Sequence, residues 1–173
     1  MNKLSPKDMT VFAMLGTIMF CSFLLMQWIP NIHLLAALIC AETIVYRKYA
    51  LYPIYVFVLL TFVHSGFAPW YIPYFYIWTV LWAGVMLIPK NIPKKSAPFV
   101  YMGVCGLHGL LFGIMYAPFN ALLFGMSFEA TVAWVISGFP FDIVHAFSNF
   151  FFGIIVLPIT KIMKKNYRLS WKN

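Results

Sequence analysis

Three polar residues near the C-terminal end of the chain recur at the spacing of one helix face. Asp142, His145 and Asn149 lie three and four residues apart within an apolar stretch. Side chains at these intervals are neighbours on a helix surface. Polar groups in an apolar helix are costly and commonly mark a functional site, so the triplet predicts contact with a ligand. Two structural roles stay open: Asp142 as a dipole partner in a helix's first turn, and interhelical hydrogen bonding for the other two.

A second candidate group is aromatic. Trp70, Tyr74 and Trp78 recur at helical spacing in the middle of the chain, and Trp134 stands apart in a later segment. Such rings offer faces on which a flat ligand can stack, and a cation gains roughly 0.5–2 kcal/mol from each good contact. An aromatic belt at a membrane surface is the alternative, although Trp78 lies too deep in its apolar segment for that role.

The chain has only four acidic residues, and they differ in setting. Asp8 suits the first turn of a helix, where it complements the helix dipole. Glu42 precedes Arg47, so pairing or snorkelling competes with a coupling role. For Glu129 and Asp142, the topology derived below places no Lys or Arg on their side of the membrane. Because burying an unpaired anion costs several kcal/mol, the ligand is expected to be neutral or cationic.

Other chemistry is not indicated by the sequence. The four histidines lack metal-ligand spacing, and the three cysteines sit in apolar runs where packing is their expected role. These residues are His33, His64, His108 and His145, and Cys21, Cys40 and Cys105. There is no Walker A glycine loop, no Gly-x-Ser-x-Gly and no His-Glu-x-x-His motif. We therefore expect no enzyme activity, no metal and no cofactor.

The elements that must position these residues are membrane helices. The chain has 173 residues, of which 63% are hydrophobic and 9% are charged, whereas soluble domains carry about 25% charged residues. The cations behind the net charge of +8 border the apolar runs, which indicates membrane topology and not nucleic-acid binding. Residues 1–173 are expected to form a single transmembrane domain.

The cations form four clusters that alternate with the apolar stretches. They are Lys3 and Lys7; Arg47 and Lys48; Lys90, Lys94 and Lys95; and Lys161, Lys164, Lys165, Arg168 and Lys172. Each internal stretch is long enough for two crossings at about 20 residues per helix. Because cationic loops stay on the cytoplasmic side, we predict six helices, both termini cytoplasmic, and an outer face without fixed positive charge.

The predicted helices cover residues 9–29, 34–46, 50–65, 71–88, 98–116 and 139–163. Between the last two, Phe128–Gly138 looks helical, with Ser127 as a suitable N-cap and Glu129 in a first turn. This run is too short to span, and a seventh crossing would place the C-terminal cations outside. We therefore predict that residues 117–138 form a long outer loop or half-buried helix, and that Pro140 lies near the start of the sixth helix.

The first predicted helix carries a strip of small residues. Ala13, Thr17 and Cys21 recur every four residues, with Gly16 beside them. Small side chains at this interval let another helix approach closely. The strip is expected to dock either a partner protein or a helix of the same chain.

Together these features resemble the substrate-binding S components of energy-coupling factor (ECF) transporters. The resemblance covers nearly the whole chain: its size, six helices, cytoplasmic termini, the long loop, and Gly138–Asn149 followed by a basic tail. The strip on the first helix is similar to an Ala-xxx-Ala strip of the family, of which this chain keeps Ala at the first position, Ala13.

The resemblance implies a mechanism and partners. In the family, the strip docks onto a transmembrane T component, and two ATPase subunits drive a toppling motion that carries a vitamin or similar micronutrient inward. The family's site lies in the outer half under three loops, which here hold His33, residues 67–74, and Glu129 with Trp134.

From the residues and the resemblance together we expect a vitamin-sized aromatic heterocycle, thiamine-like or pyrimidine-like, as substrate. We also expect the chain to be a multi-pass protein of a bacterial plasma membrane. The alternatives are an autonomous small membrane facilitator and an accessory membrane subunit without ATPase partners.

Overall fold

Every regular element in residues 4–166, the part of the chain that the computed structural model describes, is helical. The α-helices are Pro6–Met26 (α1), Leu35–Tyr46 (α2), Leu51–His64 (α3), Tyr74–Leu87 (α4), Ala97–Leu110 (α5), Phe112–Phe124 (α6), Phe128–Phe152 (α7) and Val156–Asn166 (α8). Short 3-10 turns occupy Arg47–Ala50, Pro69–Tyr71 and Gly153–Ile155. Lys3, Arg168 and Lys172 of the predicted cation clusters lie outside the described residues.

Five helical runs are long and apolar enough to cross a membrane. They are Pro6–Met26, Leu35–His64, Pro69–Leu87, Ala97–Phe124 and Phe128–Lys165. The predicted all-α class is therefore confirmed, and the runs indicate a multi-pass membrane protein.

The first helix begins at a capping box. The Ser5 backbone N–H donates to Asp8 Oδ2 at 2.8 Å, and the Asp8 backbone N–H donates to Ser5 Oγ at 3.2 Å. Pro6 follows the cap, where its missing N–H is harmless. The first-turn position predicted for Asp8 is confirmed.

Helix α1 packs on α3 through a glycine and leaves its small-residue strip uncovered. A Cβ at Gly16 would lie 2.6 Å from Val56 Cβ, so the two helices approach as closely as they do only because Gly16 has no side chain. Ala13, Thr17 and Cys21 are all exposed. The strip therefore does not serve the packing of α1 within the chain.

The run Leu35–His64 reverses direction at Arg47, whose backbone has φ 55° and ψ −123°. The rings of His33 and Phe57 both lie near Trp78, at 5.9 and 6.1 Å between centroids. An uninterrupted helix from His33 to Phe57 would separate them by about 36 Å. Helices α2 and α3 therefore form a hairpin.

Helix α2 is the buried centre of the bundle. Its side chains from Leu35 to Thr43, Leu38 excepted, are fully buried, and Cys40 Sγ lies 3.4 Å from Cys105 Sγ of α5. These two cysteines pack as predicted, whereas Cys21 is exposed. Glu42 is buried and its Oε2 has no hydrogen-bond partner, so the predicted snorkelling is wrong.

The segments that border the cation clusters meet at one end of the bundle. Phe12, Tyr46 and Ala50 form a small buried cluster that also receives Trp82 and Met163. This cluster joins α1, the α2–α3 turn, α4 and α8. Arg47 Nη2 also donates to the carbonyl oxygen of Met86, near the end of α4, at 3.0 Å.

Glycines let α5 and α7 pack with their backbones in contact. A Cβ at Gly109 would lie 2.8 Å from the carbonyl oxygen of His145, and one at Gly153 would lie 2.6 Å from Met102 Cα. Gly106 faces Phe150 in the same row. This antiparallel contact fixes which residues of α7 face α5.

The long outer loop predicted for residues 117–138 is wrong, whereas the helical structure predicted for Phe128–Gly138 is confirmed as part of a longer helix. Helix α6 continues to Phe124, Gly125 follows with φ 61°, and Ser127 caps α7 by accepting from the Ala130 N–H at 3.2 Å. The predicted cap is thus confirmed, but α7 runs on through Pro140, which lies inside the helix. The Gly-Phe-Pro sequence at 138–140 favoured a boundary because Gly and Pro usually interrupt helices, whereas membrane helices tolerate them.

Candidate functional site

A cavity of about 290 Å³ lies at the end of the bundle remote from the cation clusters. Its walls come from the end of α1, the α1–α2 loop, the turn and helix start at α4, and helices α6 and α7. Its lining residues are Phe23, Met26, Gln27, Ile29, Pro30, Asn31, Ile32, His33, Tyr71, Tyr74, Phe112 and His145. None of these is Lys, Arg, Asp or Glu.

The α1–α2 loop forms one wall of the cavity. The Ile29 N–H donates to the Met26 carbonyl at 3.0 Å, which turns the chain as α1 ends. Asn31 then adopts φ 60°, a left-handed conformation that Asn tolerates better than most residues. This turn brings His33 beneath the loop and against the helices.

Rings from five segments meet beside the cavity. His145 lies 4.7 Å from His33 and 4.7 Å from Phe112, between ring centroids. Trp78 lies 5.8 Å from Phe112 and stacks on His108 at 5.3 Å. We call His33, Trp78, His108, Phe112 and His145 the ring cluster. It joins the α1–α2 loop to α4, α5, α6 and α7.

The ring cluster, and Asn149 one helical turn beyond His145, contain polar atoms without hydrogen-bond partners. Trp78 and Asn149 are 0% exposed and His145 is 2% exposed. The atoms without a hydrogen bond are His33 Nδ1, Trp78 Nε1, His108 Nδ1, both His145 nitrogens, and both amide atoms of Asn149. Each buried polar group left unpaired costs about 1–3 kcal/mol. A cluster of such groups in one place therefore indicates a site for a hydrogen-bonding guest.

The proton on His108 can be assigned from its one hydrogen bond. His108 Nε2 lies 3.1 Å from the carbonyl oxygen of Ile77. A carbonyl oxygen only accepts, so Nε2 carries the hydrogen and Nδ1 of the neutral ring is a bare acceptor. Trp78 Nε1, by contrast, only donates. The site therefore contains both an unpaired hydrogen-bond donor and an unpaired hydrogen-bond acceptor.

Asp142 has a structural partner. Its Oδ1 accepts a hydrogen bond from the Gly113 N–H at 3.1 Å, at the first turn of α6, and its side chain is 7% exposed. The carboxylate thus serves the N-terminus of α6. The role left open for Asp142 in the first turn of its own helix is wrong, because α7 begins at Phe128.

His33 lies in the loop outside the helical runs, and its environment keeps it neutral. Burial, with the nearby His108 as the second cause, lowers the pKa of His33 to about 4. Near pH 7 the imidazole therefore carries no charge and presents one donor and one acceptor nitrogen.

The structure brings together some of the residues that the sequence singled out. Tyr74 and His145 line the cavity, Trp78 belongs to the ring cluster, and Asn149 is buried one turn beyond His145. Three other predicted site residues do not line the cavity, namely Trp70, Glu129 and Trp134. Trp70, in the turn before α4, is 60% exposed. Glu129 is exposed because residues 128–138 form a helix and do not fold over the site.

The resemblance placed His33 in a loop over the site, but sequence reasoning did not assign Phe112 or His108 to it. Phe112 touches three members of the ring cluster, but it is one of 18 phenylalanines and has no distinguishing neighbours in the sequence. His108 was visible as a polar residue in an apolar segment. The common location of His33 and His108 depends on how the α1–α2 loop and α5 pack, which no local pattern encodes.

No protein-family model, no curated protein and no solved structure matches the chain.

Proposed function

We propose that this protein is the membrane-embedded substrate-binding subunit of an ECF-type importer. It captures a small neutral or cationic aromatic heterocycle, a vitamin or a vitamin precursor, from the outer side. The observation that carries the proposal is the group of buried, unpartnered polar side chains beside the 290 Å³ cavity. Small-molecule sites combine such a mostly apolar cavity with a few convergent polar groups.

The proposal includes six spans with both termini in the cytoplasm of a bacterial cell. Two observations support it. The reversal at Arg47 divides Leu35–His64 into two segments, and the segments bordering the cation clusters contact one another. With those cations inside, the cavity opens outward. Reporter tags at Gly66 and Ser127 should then read external, and a cytoplasmic signal at either position contradicts this topology.

The partners proposed are a T component and two ATPase subunits. Support comes from the exposure of Ala13, Thr17 and Cys21, which leaves a surface without bulky side chains on α1. Thr17 Oγ1 donates to the Ala13 carbonyl at 2.9 Å, so its hydroxyl is already satisfied and does not hinder apolar contact.

Co-purification tests the function against its rivals. The tagged protein, extracted from a host that also carries ECF genes, should retain a T component and ATPases together with a small molecule identified by mass spectrometry. Thr17→Leu should lose the protein partners but keep the small molecule, and Ile18→Leu, also exposed on α1, is the matched control. A ligand without protein partners favours an autonomous facilitator. Partners without a ligand favour an accessory subunit.

A further inference from the structure

We infer that the ligand of this cavity is uncharged and carries both a hydrogen-bond donor and a hydrogen-bond acceptor on a flat ring, as lactams and heterocyclic carboxamides do. The inference rests on the proposed binding function and narrows it, because it removes cations from the expected class. It is carried by the buried polar side chains without partners and by the composition of the cavity wall.

The charge of the ligand follows from the wall. The twelve lining residues include no Lys, Arg, Asp or Glu, and their polar groups are amides, phenols and imidazoles. The acidic residue closest in sequence to His145, Asp142, already accepts from Gly113, and Glu129 is exposed outside the lining. A cation or an anion would lose its hydration here without gaining a charged partner.

The donor and acceptor requirement follows from the atoms left unpaired. Both ring nitrogens of His145, which lines the cavity, lack partners, and a neutral imidazole has one donor nitrogen and one acceptor nitrogen. Nδ1 of His33, also in the lining, is unpaired as well. A ligand with acceptors alone, or with donors alone, would leave part of this set unsatisfied. An aromatic ring suits the remaining wall, which Tyr74 and Phe112 help to form.

Three compounds on one ring scaffold test the charge. Nicotinamide is neutral, 1-methylnicotinamide is a permanent cation and nicotinate is an anion, and their binding to the purified full chain in nanodiscs can be measured by calorimetry. We expect nicotinamide to bind at least tenfold more tightly than either ion. Equal or tighter binding of the cation overturns the inference while the binding function stands. Binding of none of the three at millimolar concentration contradicts both.

Two substitutions test the donor and acceptor roles on nicotinamide. His145→Phe removes both ring nitrogens and keeps an aromatic ring, and it should weaken nicotinamide binding about tenfold. His145→Gln keeps one donor and one acceptor group and should lose clearly less affinity. His64→Phe and His64→Gln, made at an exposed position outside the lining, are the controls.

The melting temperature of each variant without ligand shows whether it folds. If His145→Phe melts well below the parent, His33→Phe tests the other unpaired imidazole of the lining. Unchanged nicotinamide affinity in a folded His145→Phe or His33→Phe variant overturns the assignment, and it would mean that water satisfies these atoms.

Discussion

Two tryptophans one turn apart on α4 show how the two ends of the bundle differ. Trp82 Nε1 donates to the Arg47 carbonyl at 3.0 Å, within the end that holds the cations. Trp78 Nε1 is buried deeper yet has no partner. Ser5 and Asp8 likewise cap each other at the cation end while both nitrogens of His145 stay unpaired at the other. The buried Oε2 of Glu42, which has no partner, is the exception at the cation end.

The contrast separates what stabilises the fold from what serves a guest. A hydrogen bond to a backbone carbonyl contributes about 0.5–1.5 kcal/mol whether or not a ligand is present. An unpaired buried group lowers the stability of the empty protein and recovers that loss when a partner arrives. Apart from Glu42, the polar groups of the cation end therefore stabilise the fold, whereas the cavity end keeps unpaired polar groups that lower the stability of the empty protein.

The largest effect is expected where α5 meets α7. Gly109→Ala would place a Cβ 2.8 Å from the His145 carbonyl oxygen, so backbone and not a flexible side chain must move. Overpacking of this kind costs about 1–3 kcal/mol, and it would displace His145 from the ring cluster. We expect ligand binding to be lost and thermal unfolding to occur at lower temperature.

Gly103→Ala is the matched control for Gly109→Ala. It lies on the same helix with nothing within 4 Å of an added Cβ. It should leave binding unchanged and raise helix stability slightly, since Ala is the better helix former. If both variants bind ligand like the parent, the contact between α5 and α7 does not position the site.

The two tryptophans should differ in their effect on ligand affinity when replaced by Phe. Trp82→Phe removes a satisfied hydrogen bond and should lower the free energy of unfolding by about 1 kcal/mol, with ligand affinity unchanged. Trp78→Phe loses no hydrogen bond but leaves a cavity at a fully buried position, so it should also lower the free energy of unfolding. It should weaken binding as well, because the Trp78 ring packs against His33 and Tyr74 of the cavity wall. Chemical denaturation and calorimetry measure the two quantities. Equal effects of the two substitutions on affinity would remove the distinction between the two ends.

Asp142 should behave as a structural residue although it belongs to the predicted polar stripe. Asp142→Ala leaves the Gly113 N–H without its acceptor and should destabilise the protein by about 1–3 kcal/mol. Asp142→Asn keeps an acceptor oxygen and should lose less than half of that. Affinity for a neutral ligand should survive in Asp142→Asn. A large loss of affinity with normal stability would show that the carboxylate contacts the ligand.

Local chemistry explains which parts of this architecture could be predicted. The Ser5–Asp8 box and the Ser127 cap depend on residues three positions apart, so the sequence shows them directly. The turn at Arg47 follows from a charged pair between two apolar segments. Each of these features depends only on residues within about one helical turn of one another along the chain.

Tertiary packing explains the parts that were missed. Trp134 and Glu129 were placed at the site on the expectation of a loop, and a helix that continues through Pro140 carries them elsewhere. Phe112 and His108 lie at the site because glycines fix the register in which α5 packs against α7. A one-turn change in that register would bring different residues to the cavity with no change in the local sequence pattern.

The smallest effect should be the response of the cavity end to acid. The pKa of His33 falls from 6.5 to about 4 on folding, with burial as the main cause. Below pH 6.5 the unfolded chain binds a proton that the folded chain does not, so stability is lost as the pH falls. Between pH 6.5 and 5.5 the loss contributed by His33 should be about 1 kcal/mol. Chemical denaturation at several pH values should show the same slope in the parent and in His64→Gln, and the slope of His33→Gln should be smaller by that amount. An equal slope in His33→Gln would mean that another group dominates the titration and that His33 is not held neutral by the cavity.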